Sequence, residues 1–155
     1  MGKAFLVIRM KGTINVPHWA RITLDLLHLD KRFRATIIPE KDNTKGMLDK
    51  IKHYASWQEI DIPTAKELIE KKARKDGYKK LTTEDISKLG FKSVDDLAKS
   101  LADGSVTLSK LKPLKPWFAL APPKHGFKRS TKKMYGEGGI LGSHKELMAQ
   151  VRLMI

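Results

Sequence analysis

Ala4-Phe5-Leu6-Val7-Ile8-Arg9-Met10 is the stretch that decides the fold: a short aliphatic run followed by the turn-forming Gly12-Thr13-Ile14-Asn15-Val16-Pro17. Such a run, bounded by turn chemistry, predicts a buried strand and then a loop. It is too short for a signal core or a membrane span, and Arg9 and Lys11 interrupt its apolar character. Nothing in it directs the chain to a membrane. Leu6 stands where a myristoylation motif after Gly2 requires Ser or Thr.

Outward from this strand, the helical and extended periods alternate. Pro17 suits a helix start, and Ile22, Leu24, Leu26, Leu27 and Leu29 predict a helix over 18–29 that packs on a sheet. Arg34 to Pro39, with Ala-Thr-Ile-Ile, reads as a second strand. Asp42-Asn43-Thr44 supplies caps for a helix over about 44–53, buried through Met47, Leu48 and Ile51. Tyr54 to Ile62 alternates Trp57, Glu59 and Asp61 with Gln58, Ile60 and Ile62, which predicts a third strand without fixing its register. The first sixty or so residues thus read β-α-β-α-β, an α+β core.

A helical addition follows. Pro63-Thr64 opens a pattern through Ala65, Leu68, Ile69 and Ala73, with Gly77 as the expected stop. Thr82 to Asp85 resembles a capped start of a helix running to Leu89-Gly90, and Ser93 to Asp96 opens another ending near Gly104. The remainder changes character. Between Asp103 and Glu137 there is no acidic residue, yet Lys110, Lys112, Lys115, Lys124, Lys128, Arg129, Lys132 and Lys133 are present. Pro113, Pro116, Pro122 and Pro123 punctuate this region, so an extended or looped arm is expected around the apolar piece Trp117 to Ala121. Leu147, Val151 and Met154 then fall at helical spacing near the end. The expected division is 1–62 as the core, 63–104 as the helical addition, and 105–155 as a basic arm with a terminal helix packed on the core.

Thirty-one Lys and Arg against seventeen Asp and Glu give a formal net charge of +14 and a pI near 10.0. A charge of that size repels itself unless a polyanion complements it, and nucleic acid is the first such partner. Single surface lysines ordinarily do no more than hold water, but an arm of one sign without an acidic member suits phosphates. Within it, Lys124-His125-Gly126-Phe127-Lys128-Arg129 sets donors beside a flexible glycine and an aromatic, which is either a stacking platform for an unpaired base or a core anchor. Lys31, Arg32 and Arg34 form a second basic cluster, which Lys11 and Arg21 can join.

Candidates for covalent chemistry are weak. The chain has no cysteine, which fits a reducing cytoplasm and excludes disulfides and thiolate sites. His18, His28, His53, His125 and His144 show no metal-ligand spacing, so no metal, cofactor, small-molecule substrate or catalytic residue is assigned. Gly136 to Gly142 lacks the spacing of a dinucleotide fingerprint, and Ser143-His144 follows where a phosphate-binding loop needs Lys-Ser or Lys-Thr. A turn against RNA or against the core is the expectation there. The Asp95-Asp96 and Glu59/Asp61 pairs read as a helix first turn and a solvent-facing strand.

Phe5 to Arg9, Thr23 to Leu29 and Lys45 to Leu48 resemble the family of large-subunit ribosomal protein thirty. Tyr54 to Trp57, Trp117 to Leu120, Pro122 to Lys128 and Gly136 to Gly139 are similar to its long archaeal form and to the eukaryotic counterpart, large-subunit protein seven. The resemblance implies a ferredoxin-like core, with a three-stranded antiparallel sheet, the first strand central and two helices on one face. It implies a seat in the large ribosomal subunit of the cytoplasm, on large-subunit ribosomal RNA near the central protuberance and the 5S RNA, among neighbouring ribosomal proteins. By position, the arm from Pro122 to Lys133 and the cluster from Lys31 to Arg34 would be RNA contacts. A chromatin-like, DNA-compacting protein shares the charge and is the alternative that competition with duplex DNA separates.

Overall fold

The computed structural model describes residues 3–112 and 114–155; Gly2 and Pro113, on which the lipid-anchor and loop readings drew, lie outside them. Strands β1 (Ala4–Arg9), β2 (Arg34–Pro39) and β3 (Ala55–Glu59) alternate with helices α1 (His18–Leu26) and α2 (Asp42–Lys50). β1 is central and antiparallel to both neighbours, with Leu6 opposite Ile37 on one side and Gln58 on the other. This is the ferredoxin-like arrangement that the resemblance implied.

The near-continuous apolar character of β1 has a direct cause: both faces of the sheet are covered. Val7 joins Ala20, Leu24, Leu29, Leu48 and Ile51 beneath α1 and α2. Its neighbours Leu6 and Ile8 turn the other way, into a larger cluster with Leu68, Leu97, Leu101, Leu147 and Val151. Each such fully buried aliphatic side chain contributes roughly 1.5–3 kcal/mol. The second cluster is roofed by α3 (Ile62–Lys72), α5 (Val94–Ala102) and the terminal helix α6 (Leu147–Met154), with α4 (Thr83–Lys88) between α3 and α5 in the chain.

Several boundaries differ from the sequence expectation. α1 stops at Leu26 because His28 adopts a left-handed conformation with φ +59°. The Leu29 amide then donates to the Leu24 carbonyl at 2.8 Å and His28 to Asp25 at 3.0 Å, the bonding of a Schellman ending. α2 starts two residues earlier than expected, at Asp42, and none of Asp42, Asn43 or Thr44 is its cap; Lys41 holds that position. β3 ends at Glu59, since Asp61 caps α3 by accepting from the Thr64 amide at 3.0 Å. Gly77 is no helix stop. The helix has already ended at Lys72, and Gly77, with φ +79°, turns the two-residue strands β4 (Arg74–Lys75) and β5 (Lys79–Lys80) into a hairpin.

The largest difference is in the sheet, which among the described residues has six strands in the order β6-β2-β1-β3-β8-β7. β6 (Phe118–Ala119) extends the β2 edge, and β8 (Gly139–Ser143) runs parallel to β3 with β7 (Ser130–Met134) outside it. The glycine-rich stretch is therefore only partly a turn. Tyr135–Glu137 forms one 3-10 turn, Gly138 ends it in the left-handed region at φ +85°, and Gly139 enters the strand. A Cβ at Gly139 would fall 1.9 Å from the Lys133 carbonyl oxygen, so only glycine fits between β7 and β8. β3 anchors this addition through its side chains. The buried Ser56 hydroxyl donates to the Ile140 carbonyl, and the Gln58 amide donates to the Lys145 carbonyl at 2.9 Å while accepting from the Met148 amide at 3.1 Å.

Candidate nucleic-acid interface

The two basic clusters are built around a buried arginine. Arg9, the last residue of β1, is 2% exposed, and its guanidinium donates to the carbonyls of Leu29 at 2.7 Å, Lys11 at 3.0 Å and Gly12 at 3.0 Å. Burial lowers its pKa, while Asp25 and Asp30 oppose that shift. It ties the loop after β1 to the turn after α1. That turn is fastened again by Arg32, whose Nε donates to the Met10 carbonyl at 2.9 Å, and by the Phe33 amide, which donates to Arg9 at 2.7 Å. Lys11, Lys31 and Arg32 thus lie on one stapled corner, with Lys31 and Arg32 exposed and Lys11 half-buried.

The Pro122–Arg129 segment comes to the same corner. Phe127 stacks on Phe33 with ring centroids 6.0 Å apart and planes at 27°, and the Arg32 guanidinium sits 4.6 Å from the Phe33 centroid. Of the two readings of Phe127, the anchor is the one the geometry supports. The segment is also tied to the end of α6, where Lys124 donates to the Leu153 carbonyl and Ala121 to Met154, both at 3.1 Å. His125 and Gly126 turn it with positive φ, leaving Lys124, His125, Lys128 and Arg129 exposed.

A third group gathers on Trp117. Arg34 lies over this ring at 3.9 Å and is ion-paired with Asp30, while Lys115 lies 5.3 Å from the centroid. Part of the Arg34 charge is therefore compensated within the protein, and the same holds for Arg129, 3.7 Å from Glu146 and over the Tyr135 ring at 4.8 Å. The remaining expected contacts are separate. Lys132 and Lys133 project from β7 at the far edge of the sheet, Lys110 ends a 3-10 turn and Lys112 follows it, and Arg21 lies on α1; all five are exposed. Sequence reasoning did not assign Arg9, Phe33 or Trp117 a part in shaping the surface. The charge inside an aliphatic strand was the available signal for Arg9.

Chemistry beyond charge is sparse. Among the described residues no three His, Asp or Glu side chains converge as metal ligands, and no helix is long and apolar enough to cross a membrane. His144 is buried, with Nδ1 accepting from the Glu146 amide at 3.1 Å, and desolvation lowers its pKa.

Fold and charge together define a basic, ferredoxin-like α+β protein with a cation-bearing C-terminal addition. The family of ribosomal protein L30p/L7e matches residues 5–55. Over its whole length the chain is 58% identical to large ribosomal subunit protein uL30 of Nitrosopumilus maritimus and 56% identical to that of Cenarchaeum symbiosum, covering all of both. The uL30 protein of Korarchaeum cryptofilum is 40% identical over 96% of this chain and 93% of its own. The chain belongs to the uL30 family of large ribosomal subunit proteins, and is a structural constituent of the ribosome.

Proposed function

We propose that this protein docks on large-subunit ribosomal RNA near the 5S RNA and the central protuberance, stabilising the RNA fold without catalysing a reaction. Residues 1–62 form the RNA-binding core, 63–104 a helical addition, and 105–155 the basic arm with its terminal helix. The observation that supports this reading most is the Phe33–Phe127 stack, which merges two distant basic segments into one surface. Lys11, Lys31, Arg32 and Arg34 supply its core side. Lys124, His125, Lys128 and Arg129 supply its arm side, with Lys115 beside Trp117, while Arg21, Lys110, Lys112, Lys132 and Lys133 make RNA contacts outside this merged surface. Such groups neutralise phosphates and reach ribose hydroxyls, which fixes position and orientation on folded RNA. Neighbouring ribosomal proteins complete the surroundings.

Salt dependence tests the reading. Each neutralised phosphate contributes about 0.7–0.9 to the slope of log affinity against log salt. Replacing Lys128, Arg129, Lys132 and Lys133 together by Ala is expected to lower that slope by about 3 for large-subunit RNA. An unchanged slope and affinity would remove the arm from the interface, and equal affinity for duplex DNA would favour the chromatin-like alternative.

A further inference from the structure

A cleft of about 380 Å³ opens between the Gly126–Arg129 turn, β8 and α6. Its volume lies toward the lower end of small-molecule sites, which span roughly 300–1,000 Å³. Ile140, Ala149 and Leu153 give it apolar walls, Lys128 and Arg129 give it cations, and Gln150 adds an amide that both donates and accepts. Arg129 is shared with Glu146, whereas Lys128 has no carboxylate partner among the described residues.

His144 also lines this cleft, and it is 2% exposed. Because Nδ1 accepts from the Glu146 amide, the proton of the neutral ring resides on Nε2. That buried donor has no hydrogen-bond partner among the described residues. Buried polar groups are nearly always paired, by protein, water or ligand, and an acceptor group held in the cleft is one partner that would complete this donor. A flat heterocycle with acceptor atoms suits the apolar walls and the imidazole, and a phosphate suits Lys128. RNA presents this combination wherever a base leaves the stack.

We infer that the cleft between Gly126–Arg129, β8 and α6 seats one unstacked nucleotide of the bound RNA, its base against Ile140 and Leu153 and its phosphate on Lys128. The seat rests on the RNA-docking reading, and it adds to that reading a recognition of base shape that backbone charge cannot provide. The test is a titration of the isotopically labelled full chain with each of the four nucleoside 5′-monophosphates and, separately, with inorganic phosphate. The His144 ring and the Ile140 and Ala149 methyl resonances are the readout. Saturable shifts there are expected with at least one nucleotide, and inorganic phosphate is expected to leave them in place. Ala149→Trp, which fills the cleft from the exposed side of α6, should weaken the nucleotide response at least ten-fold, with Ala149→Ser behaving as the parent. Silent His144 and Ile140 resonances, or equal shifts with phosphate alone, overturn the seat even if ribosomal RNA binding is intact. Saturable nucleotide shifts in a chain that does not hold ribosomal RNA overturn the docking reading instead.

Discussion

Phe33 and Phe127, one in the turn before β2 and the other in the proline-flanked arm, stack with centroids 6.0 Å apart. This contact makes a single basic surface from two segments that charge alone would push apart. Phe127→Ala is expected to destabilise the chain by about 2 kcal/mol, less than a fully buried phenylalanine because the ring is half-buried. The larger effect should be on RNA: about ten-fold weaker binding with the far-ultraviolet dichroism of the core retained. Denaturant titration and binding on the same sample check both parts.

Arg9 gives a second outcome. Its guanidinium is itself buried and donates to the buried Leu29 carbonyl and to the partly exposed carbonyls of Lys11 and Gly12, so removing it leaves a buried acceptor without that donor. Arg9→Met, which keeps the apolar stem, should cost about 3–4 kcal/mol in urea unfolding. Arg9→Lys should restore only part of this, since an ammonium lacks the planar fork that reaches carbonyls on two segments.

His28 occupies the left-handed position of a helix ending that glycine favours. His28→Gly is expected to raise stability by about 0.5–1 kcal/mol, measured as a shifted denaturation midpoint with an unchanged slope, and His28→Val to lower it.

The α4 segment should respond to acid. Asp85 accepts from Lys75 at 2.8 Å and from the Thr82 amide and hydroxyl, and these bonds hold its carboxyl well below the usual carboxylate range. Because the folded value is depressed, its stabilising contribution is fully present above the unfolded value of roughly 4. That contribution is lost as pH falls from there through the folded value. Thermal unfolding followed from pH 7 to pH 2 should show Asp85→Asn less stable than the parent at neutral pH, with the two curves converging at the acid end.

The order of the first five elements was legible because each buries one face on a single sheet, and burial writes its period into the sequence: the Ala4–Met10 run, the Leu24-Leu27 spacing, the Leu48-Ile51 pair. Helix ends were less legible, since the left-handed turn at His28 uses a residue that does not announce it. β6, β7 and β8 were invisible for another reason. Ser130-Thr131-Lys132-Lys133-Met134 has no apolar alternation, and β8 starts on glycine; β8 is a strand because β3 offers it an edge, fastened by Ser56 to Ile140, and β7 is one because β8 offers the next edge in turn. For the surface, composition found the cations but not their grouping. Nothing local in Phe127 specifies Phe33 as its neighbour, and the pairing of Arg34 with Asp30 and of Arg129 with Glu146 depends on the folded chain.

The most direct measurement of the docking proposal is retention on large ribosomal subunits through a wash at about 0.5 M salt, where loosely held polycations are stripped. Retention at one copy per subunit, lost in the Phe127→Ala and four-fold arm variants, is the expected result. Release of the parent chain into the wash, with equal uptake by unrelated RNA and DNA, would contradict a shaped seat on ribosomal RNA.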